Sequence, residues 1–207
     1  MASDPGSKTL QTTATSMEIL ELIEEMEGAR VSELAERTDR PKSTVHGHLS
    51  TLHSMEFVVK KADVYHLGPE LLRLGNAVRT REDGFVLAHE FIERMFERTE
   101  LRSNFSVEMG GKAVVIHTAS GDRKGWAHER MGSRLYLHNT AVGKAILSEL
   151  PHRRVQEIID RWGLPAETDE TITDEETLFA ELETIREQGY AVTTVPGDQD
   201  APEADAA

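Results

Sequence analysis

Cysteine is absent from the 207 residues, which excludes disulfide frameworks, thiolate nucleophiles and cysteine-ligated zinc. No apolar run approaches the roughly eighteen residues of a membrane span, and the N-terminus lacks the apolar core of a signal peptide. A cytoplasmic protein without membrane contact is therefore expected. Catalytic signatures are missing as well: no HExxH, GxSxG, P-loop or GxGxxG occurs. Paired carboxylates such as Glu24-Glu25 and Glu175-Glu176 fall on solvated helix faces, so neither enzymatic activity nor a cofactor is expected. Nine histidines are present, but His46 and His48 lie about 200° apart on a helix. His117, His128 and His138 are scattered over separate segments, and no metal site is expected.

Basic residues are few: 23 Lys and Arg stand against 37 Asp and Glu, a net charge of −14. That balance argues against nucleic acid, whose affinity comes largely from neutralising phosphates. Its distribution argues otherwise. Between Arg37 and Lys61 five basic residues (Arg37, Arg40, Lys42, Lys60, Lys61) face two acidic ones (Asp39, Glu56), a local excess of about +3. The acidity sits in Glu18 to Glu27 and in the C-terminal two-thirds. Such dispersed surface carboxylates resemble proteins of a high-salt, haloarchaeal cytoplasm, where counterion release drives DNA binding weakly and base contacts carry more of the affinity.

Residues Val31 to Leu52 read VSELAERTDRPKSTVHGHLSTL. A short helix with Ser32 as its N-cap, Glu33 in its first turn and Leu34 and Ala35 inward is followed by a tight turn and a second helix. Pro41 suits a first helical turn. Val45, Leu49 and Leu52 recur at i, i+4 and i+7, which buries one face and turns Ser43, Gly47 and Ser50 outward. A bare helical hairpin occurs in many soluble proteins. What distinguishes this one is its sequel: Phe57 to Lys61, a break at Ala62-Asp63, and Val64 to Leu67, a hairpin with a basic tip. Helix-turn-helix plus two-stranded wing is a winged-helix domain, closed by an upstream helix carrying Ile19, Leu20, Ile23 and Met26.

With 38% apolar residues the chain suffices for two small domains. The expected organisation is a disordered arm over 1–15, the winged helix over 16–68 and a connector helix over 69–83, started by Gly68-Pro69. An effector-type domain then covers 84–195, before a disordered acidic tail over 196–207. The connector stripe Leu71, Leu74 and Val78 can pack on its own domain or pair with a second subunit. The latter fits better, because a single winged helix reads too few base pairs. Beyond Gly84 a helix carries Ala88, Phe91, Ile92, Met95 and Phe96 on one side. A hairpin follows, Asn104 to Met109 and Ala113 to Thr118 around Gly110-Gly111. Strands are expected at Gly125 to Glu129, Arg134 to His138 and Tyr190 to Val195. Helices are expected from Thr140 to Leu150, capped by Asn139 or Thr140, around Val155 to Trp162, and from a Thr173/Glu176 capping box to Gly189. Antiparallel strands flanked by helices make an α+β fold.

The winged helix, the connector, Leu137-His138-Asn139-Thr140-Ala141-Val142-Gly143-Lys144-Ala145, Gly163-Leu164-Pro165 and Thr171-Ile172-Thr173-Asp174 together resemble the IclR family of transcriptional regulators, over roughly residues 11–195. The resemblance implies an N-terminal winged helix-turn-helix and a C-terminal GAF-like effector domain. It also implies dimers paired through the DNA-binding halves, often tetramers, acting on double-stranded operator DNA under control of a small organic acid or aromatic effector. Its recognition helix falls on Lys42, Ser43, Thr44, His46, Gly47, Ser50 and Thr51; the residues themselves add Arg40, suited to phosphates or base edges, and the basic wing tip of Lys60 and Lys61 flanking the DNA-binding surface. For the effector it implies Ala141, Val142 and Gly143, with Met131 and Leu135 as apolar walls. A helix N-terminus suits a carboxylate, although these three residues also fit simple packing against the sheet.

Two departures from the family pattern stand out. Family members usually carry a basic or polar side chain where this chain has Gly47. After Tyr190 the family continues into further strands and a helix, whereas here the chain turns at Pro196-Gly197 into an acidic stretch. A sheet short of strands and an incomplete pocket are expected from that. This leaves an alternative to the regulator: a dimerising interaction subunit with impaired effector sensing.

Overall fold

The structure, a computed structural model, describes residues 9–120 and 131–193. The chain separates into two units that meet at Asp83/Gly84. The first contains α1 (Gln11–Glu25), α2 (Val31–Arg37), α3 (Lys42–Ser54), β1 (Val58–Lys61), β2 (Val64–Leu67) and α4 (Pro69–Arg79). Ile19, Leu20 and Ile23 of α1 pack with Leu34, Val45, Leu49, Leu52, Val58 and Tyr65 in one buried cluster. These residues follow the helical and strand periods read from the sequence.

Three local expectations in this unit are corrected. Helix α1 begins at Gln11, so residues 11–15 are not part of an arm. Thr15 is buried and donates to the Gln11 carbonyl at 2.9 Å. Residues 1–8 lie outside the described residues. The N-cap of α2 is Arg30 rather than Ser32, and its N–H donates to the Glu33 carboxylate at 2.6 Å. Pro41 stands at the N-cap of α3 with φ −56° and ψ 139°, one residue ahead of the first turn. Extended geometry there satisfies the ring while Lys42 starts the helix.

The wing forms as expected, with Val58 opposite Leu67 and Lys61 opposite Val64. A two-residue turn joins its strands, with Ala62 at φ +53°. Gly68 caps α4 and Pro69 opens it. Leu71 packs on the first core, whereas Leu72, Leu74 and Val78 are exposed and no α4 residue is buried.

The second unit contains α5 (Asp83–Thr99), β3 (Ser103–Met109), β4 (Lys112–Ala119), β5 (Arg134–Tyr136), α6 (Ala141–Glu149), α7 (His152–Trp162) and α8 (Glu175–Gln188). The sheet is antiparallel in the order β3-β4-β5. Ala113, Leu137, Leu147, Val155, Ile158, Leu178 and Leu182 form its helix-side core. At the β3–β4 turn Gly110 and Gly111 have φ +64° and +85°. A Cβ on Gly111 would strike the Trp162 indole, so this turn requires glycine for space as well as for backbone.

Here too the sequence expectations need adjusting. The single apolar side expected for α5 is two faces: Phe85 and Ile92 are buried, while Phe91 and Met95 are exposed. Strand β5 ends at Tyr136 rather than His138. The cap of α8 is Asp174, which accepts from the Thr177 N–H at 2.8 Å, so the Thr173/Glu176 capping box is displaced by one residue. Residues 190–193 form no strand. The strand expected over 125–129, positions 194–195 and the acidic tail over 196–207 lie outside the described residues.

Candidate DNA-binding surface and effector site

Helix α3 divides cleanly. Val45, Leu49 and Leu52 are at most 5% exposed, and Lys42, Ser43, Thr44, His46, Gly47, Ser50 and Thr51 are all exposed, with Ser43, Gly47 and Ser50 on the side opposite the buried one. Nothing lies within 4 Å of a Cβ placed on Gly47. The Thr51 hydroxyl is turned back to the Gly47 carbonyl at 3.1 Å. On the wing Lys60 and Lys61 are exposed, with the Lys60 ammonium 5.4 Å from the Tyr65 ring centroid. Donors and cations thus line a surface whose far side is fixed by the core.

Arg40 sits differently. Its guanidinium donates to the Thr15 hydroxyl at 3.0 and 3.3 Å and to the Thr38 carbonyl at 3.1 Å. It also pairs with Glu18 at 3.3 Å. It fastens the turn before α3 onto α1. The His48 ring is likewise tied to α1, by a 2.8 Å bond with the Ser16 hydroxyl. Neither contact was visible in the local pattern, because the partners lie 25 and 32 residues apart.

In the second unit Thr140 caps α6: its hydroxyl oxygen accepts from the Gly143 N–H at 3.1 Å. The N–H groups of Ala141 and Val142 have no acceptor within the helix, as for any first turn. Ala141 and Val142 are half-buried. Gly143 is buried, and a Cβ there would collide with the Leu137 backbone and Thr140, so its first role is close packing. Leu135 is half-buried against the core and Met131 is 54% exposed. The carboxamide oxygen of Asn139, beside the cap, is buried and has no hydrogen-bond partner.

A separate cavity of about 10 Å³ touches Leu137, His138, Leu147, Trp162 and Leu178 but none of the five expected effector residues. It has room for about one water molecule. His138 beside it bonds through Nε2 to the Pro165 carbonyl at 3.1 Å. Burial pushes its pKa down, opposed by that bond, so the neutral ring donates. Among the described residues no three His, Asp or Glu side chains gather as metal ligands, and no helix is long and apolar enough to cross a membrane.

Residues 14–62 match the IclR helix-turn-helix domain, and residues 78–195 match the C-terminal domain of bacterial IclR transcriptional regulators. This chain belongs to the IclR family. Of the similar proteins, the "Probable HTH-type transcriptional regulator ArcR" of Halobacterium salinarum is 27% identical over 195 residues, covering 92% of this chain and 74% of the relative. The HTH-type transcriptional repressor AllR of Escherichia coli K12 is 29% identical over 194 residues, covering 92% and 72%. The crystal structure of the Thermotoga maritima IclR superposes with a TM-score of 0.72 at 29% identity, over 88% of this chain and 75% of that one. The winged helix-turn-helix followed by an α+β effector domain is thus the IclR architecture, and the protein is an IclR-type transcriptional regulator.

Proposed function

We propose that the protein binds operator DNA in the cytoplasm as a dimer, with α3 in the major groove and the wing lysines on the flanking backbone. The observation that carries this is the exposed stripe Lys42, His46 and Ser50, held rigid over buried Val45, Leu49 and Leu52. Ser43, Thr44, Gly47 and Thr51 border the stripe. Arg40 serves as the anchor of α3 rather than as a phosphate contact. The exposed Leu72, Leu74 and Val78 of α4 supply the apolar surface for pairing the two DNA-binding halves. Gly47 leaves open space on the reading face, so Gly47→Arg adds a donor fork and tightens binding. A mobility-shift titration on DNA from the protein's own upstream region tests this; unchanged affinity in Gly47→Arg counts against the placement.

The effector we assign is a small monocarboxylate at the first turn of α6, held by the N–H groups of Ala141 and Val142. Leu135 and Met131 lie on its apolar side, and Gly143 lets α6 approach the Leu137 backbone. Support comes from the first-turn N–H groups of Ala141 and Val142, which have no acceptor within the helix and lie on half-buried residues. A second reading, a dimerising subunit with weak effector sensing, is favoured by the exposure of Met131 and by the absence of these residues from the small cavity. Thermal shift with short aliphatic and aromatic monocarboxylates separates the two. Ligand at one hundred times its Kd adds about 2.7 kcal/mol of stability, whereas no shift across the panel supports the second reading.

A further inference from the structure

Helix α3 has a flank turned toward α1. At 100° per residue Thr44, His48 and Thr51 fall within about 60° of one another, between the buried side and the outward side that carries Ser43, Gly47 and Ser50. His48 is exposed there, yet its ring is held: Nδ1 lies 2.8 Å from the Oγ of half-buried Ser16 on α1. Among the described residues His48 makes no other hydrogen bond or ion pair, so Nε2 is left for a ligand.

The bond to Ser16 decides what that nitrogen can do. A neutral imidazole has one donor and one acceptor nitrogen, and the bond made at one sets the role of the other. When the Ser16 hydroxyl donates to Nδ1, the ring proton sits on Nε2. In the charged ring both nitrogens donate, so Nδ1–H turns to the Ser16 oxygen and Nε2–H again has no partner within the protein. Either form presents one N–H, oriented before any ligand arrives. A phosphate diester only accepts, so it selects these two forms over the one that lacks this proton. The place of the ring on the flank points the same way. A helix filling a major groove about 12 Å wide has a phosphate backbone along each flank, and side-chain donors there fix register rather than read bases.

We propose that His48 is a backbone-phosphate contact and that Ser16 is its positioning residue, setting Nε2–H toward the strand on the α1 side of α3. The contact rests on α3 lying in the groove, and it adds a sequence-independent hold from a residue that carries no obligatory charge.

The test is an anisotropy titration of the full chain against its own upstream duplex and an unrelated duplex of the same length. In His48→Asn the shorter amide reaches the Nδ1 position and keeps the bond to Ser16, but no donor stands at Nε2. Affinity falls roughly tenfold on both duplexes, the scale of one hydrogen bond to a charged group, at an unchanged melting temperature. His48→Gln, whose longer amide reaches the Nε2 position, restores the donor and binds within about threefold of the natural chain. A purely structural tie between α1 and α3 predicts the reverse order, with Asn harmless and Gln harmful. Ser16→Ala weakens binding in the natural chain and has no effect in His48→Asn, because it acts only through the ring. The proposal is overturned if His48→Asn binds both duplexes like the natural chain, if it loses affinity for the upstream duplex alone, or if His48→Gln fails alongside it. Ser50→Glu in the same titration tells the two levels apart. Weakened Ser50→Glu with unaffected His48→Asn removes this contact and leaves α3 in the groove, whereas unaffected Ser50→Glu removes both.

Discussion

Two glycines show how differently one residue type acts here. Gly47 is exposed on a helix with nothing near its missing Cβ. Gly47→Ala therefore raises stability by about 1 kcal/mol through helix propensity alone. Gly143 sits against the Leu137 backbone, and Gly143→Ala lowers stability by about 1–3 kcal/mol through overpacking. Urea denaturation of the two variants checks both signs. Arg40 and Lys42 form a second contrast, two residues apart. Arg40 bonds to Thr15 and pairs with Glu18, so Arg40→Ala costs about 1–2 kcal/mol of stability and leaves the salt dependence of DNA binding alone. Lys42 is exposed, so Lys42→Ala leaves stability within about 0.5 kcal/mol and reduces the salt slope by about one.

Among the elements, the β3–β4 turn is clasped onto α7. The Trp162 indole N–H donates to the Gly110 carbonyl at 2.9 Å, and Arg154 pairs with Glu108 at 3.0 Å. The Lys112 ammonium lies over the Tyr136 ring and 4.5 Å from the Trp162 ring centroid. Burial lowers the Lys112 pKa from 10.5 to about 8, partly offset by Glu167. Between those values the unfolded chain keeps a proton that the folded chain has shed, so stability rises with pH from about 8 to 10.5. Thermal melts across that range should show the rise in the natural chain and its loss in Lys112→Met. The clasp also marks the limit of legibility. The helix-turn-helix, the wing and the Gly110-Gly111 hairpin could be read because their signals are local: period, proline and glycine. The partners of Arg40, His48 and Lys112 could not, because each contact joins distant segments and no periodicity encodes it. The caps of α2 and α8 were misplaced by one or two residues for a related reason. At α8 Thr173 and Asp174 sit side by side and only the backbone entry angle selects between them, whereas α2 starts from Arg30, which is not a preferred cap residue and gives no local signal. The shared stripe read for α5 split in two because apolar spacing alone cannot say which residues meet a core and which meet solvent.

On the scale of the whole molecule, the charge of −14 and the basic surface around α3 pull in opposite directions as salt changes. Screening relieves repulsion among the surface carboxylates and stabilises the fold. The same screening weakens contacts with phosphates. Raising KCl should therefore increase the melting temperature while decreasing DNA affinity, and a chain that melts lower at high salt would contradict that division of charge. All of this depends on the outward face of α3 being the surface that meets the duplex. The most direct test is anisotropy titration of labelled upstream DNA with Ser50→Glu beside the natural chain, at equal melting temperature. A carboxylate placed at the centre of that face should weaken binding by roughly 10- to 100-fold, the scale of one lost base contact. Equal affinity of the two proteins would show that DNA is bound elsewhere.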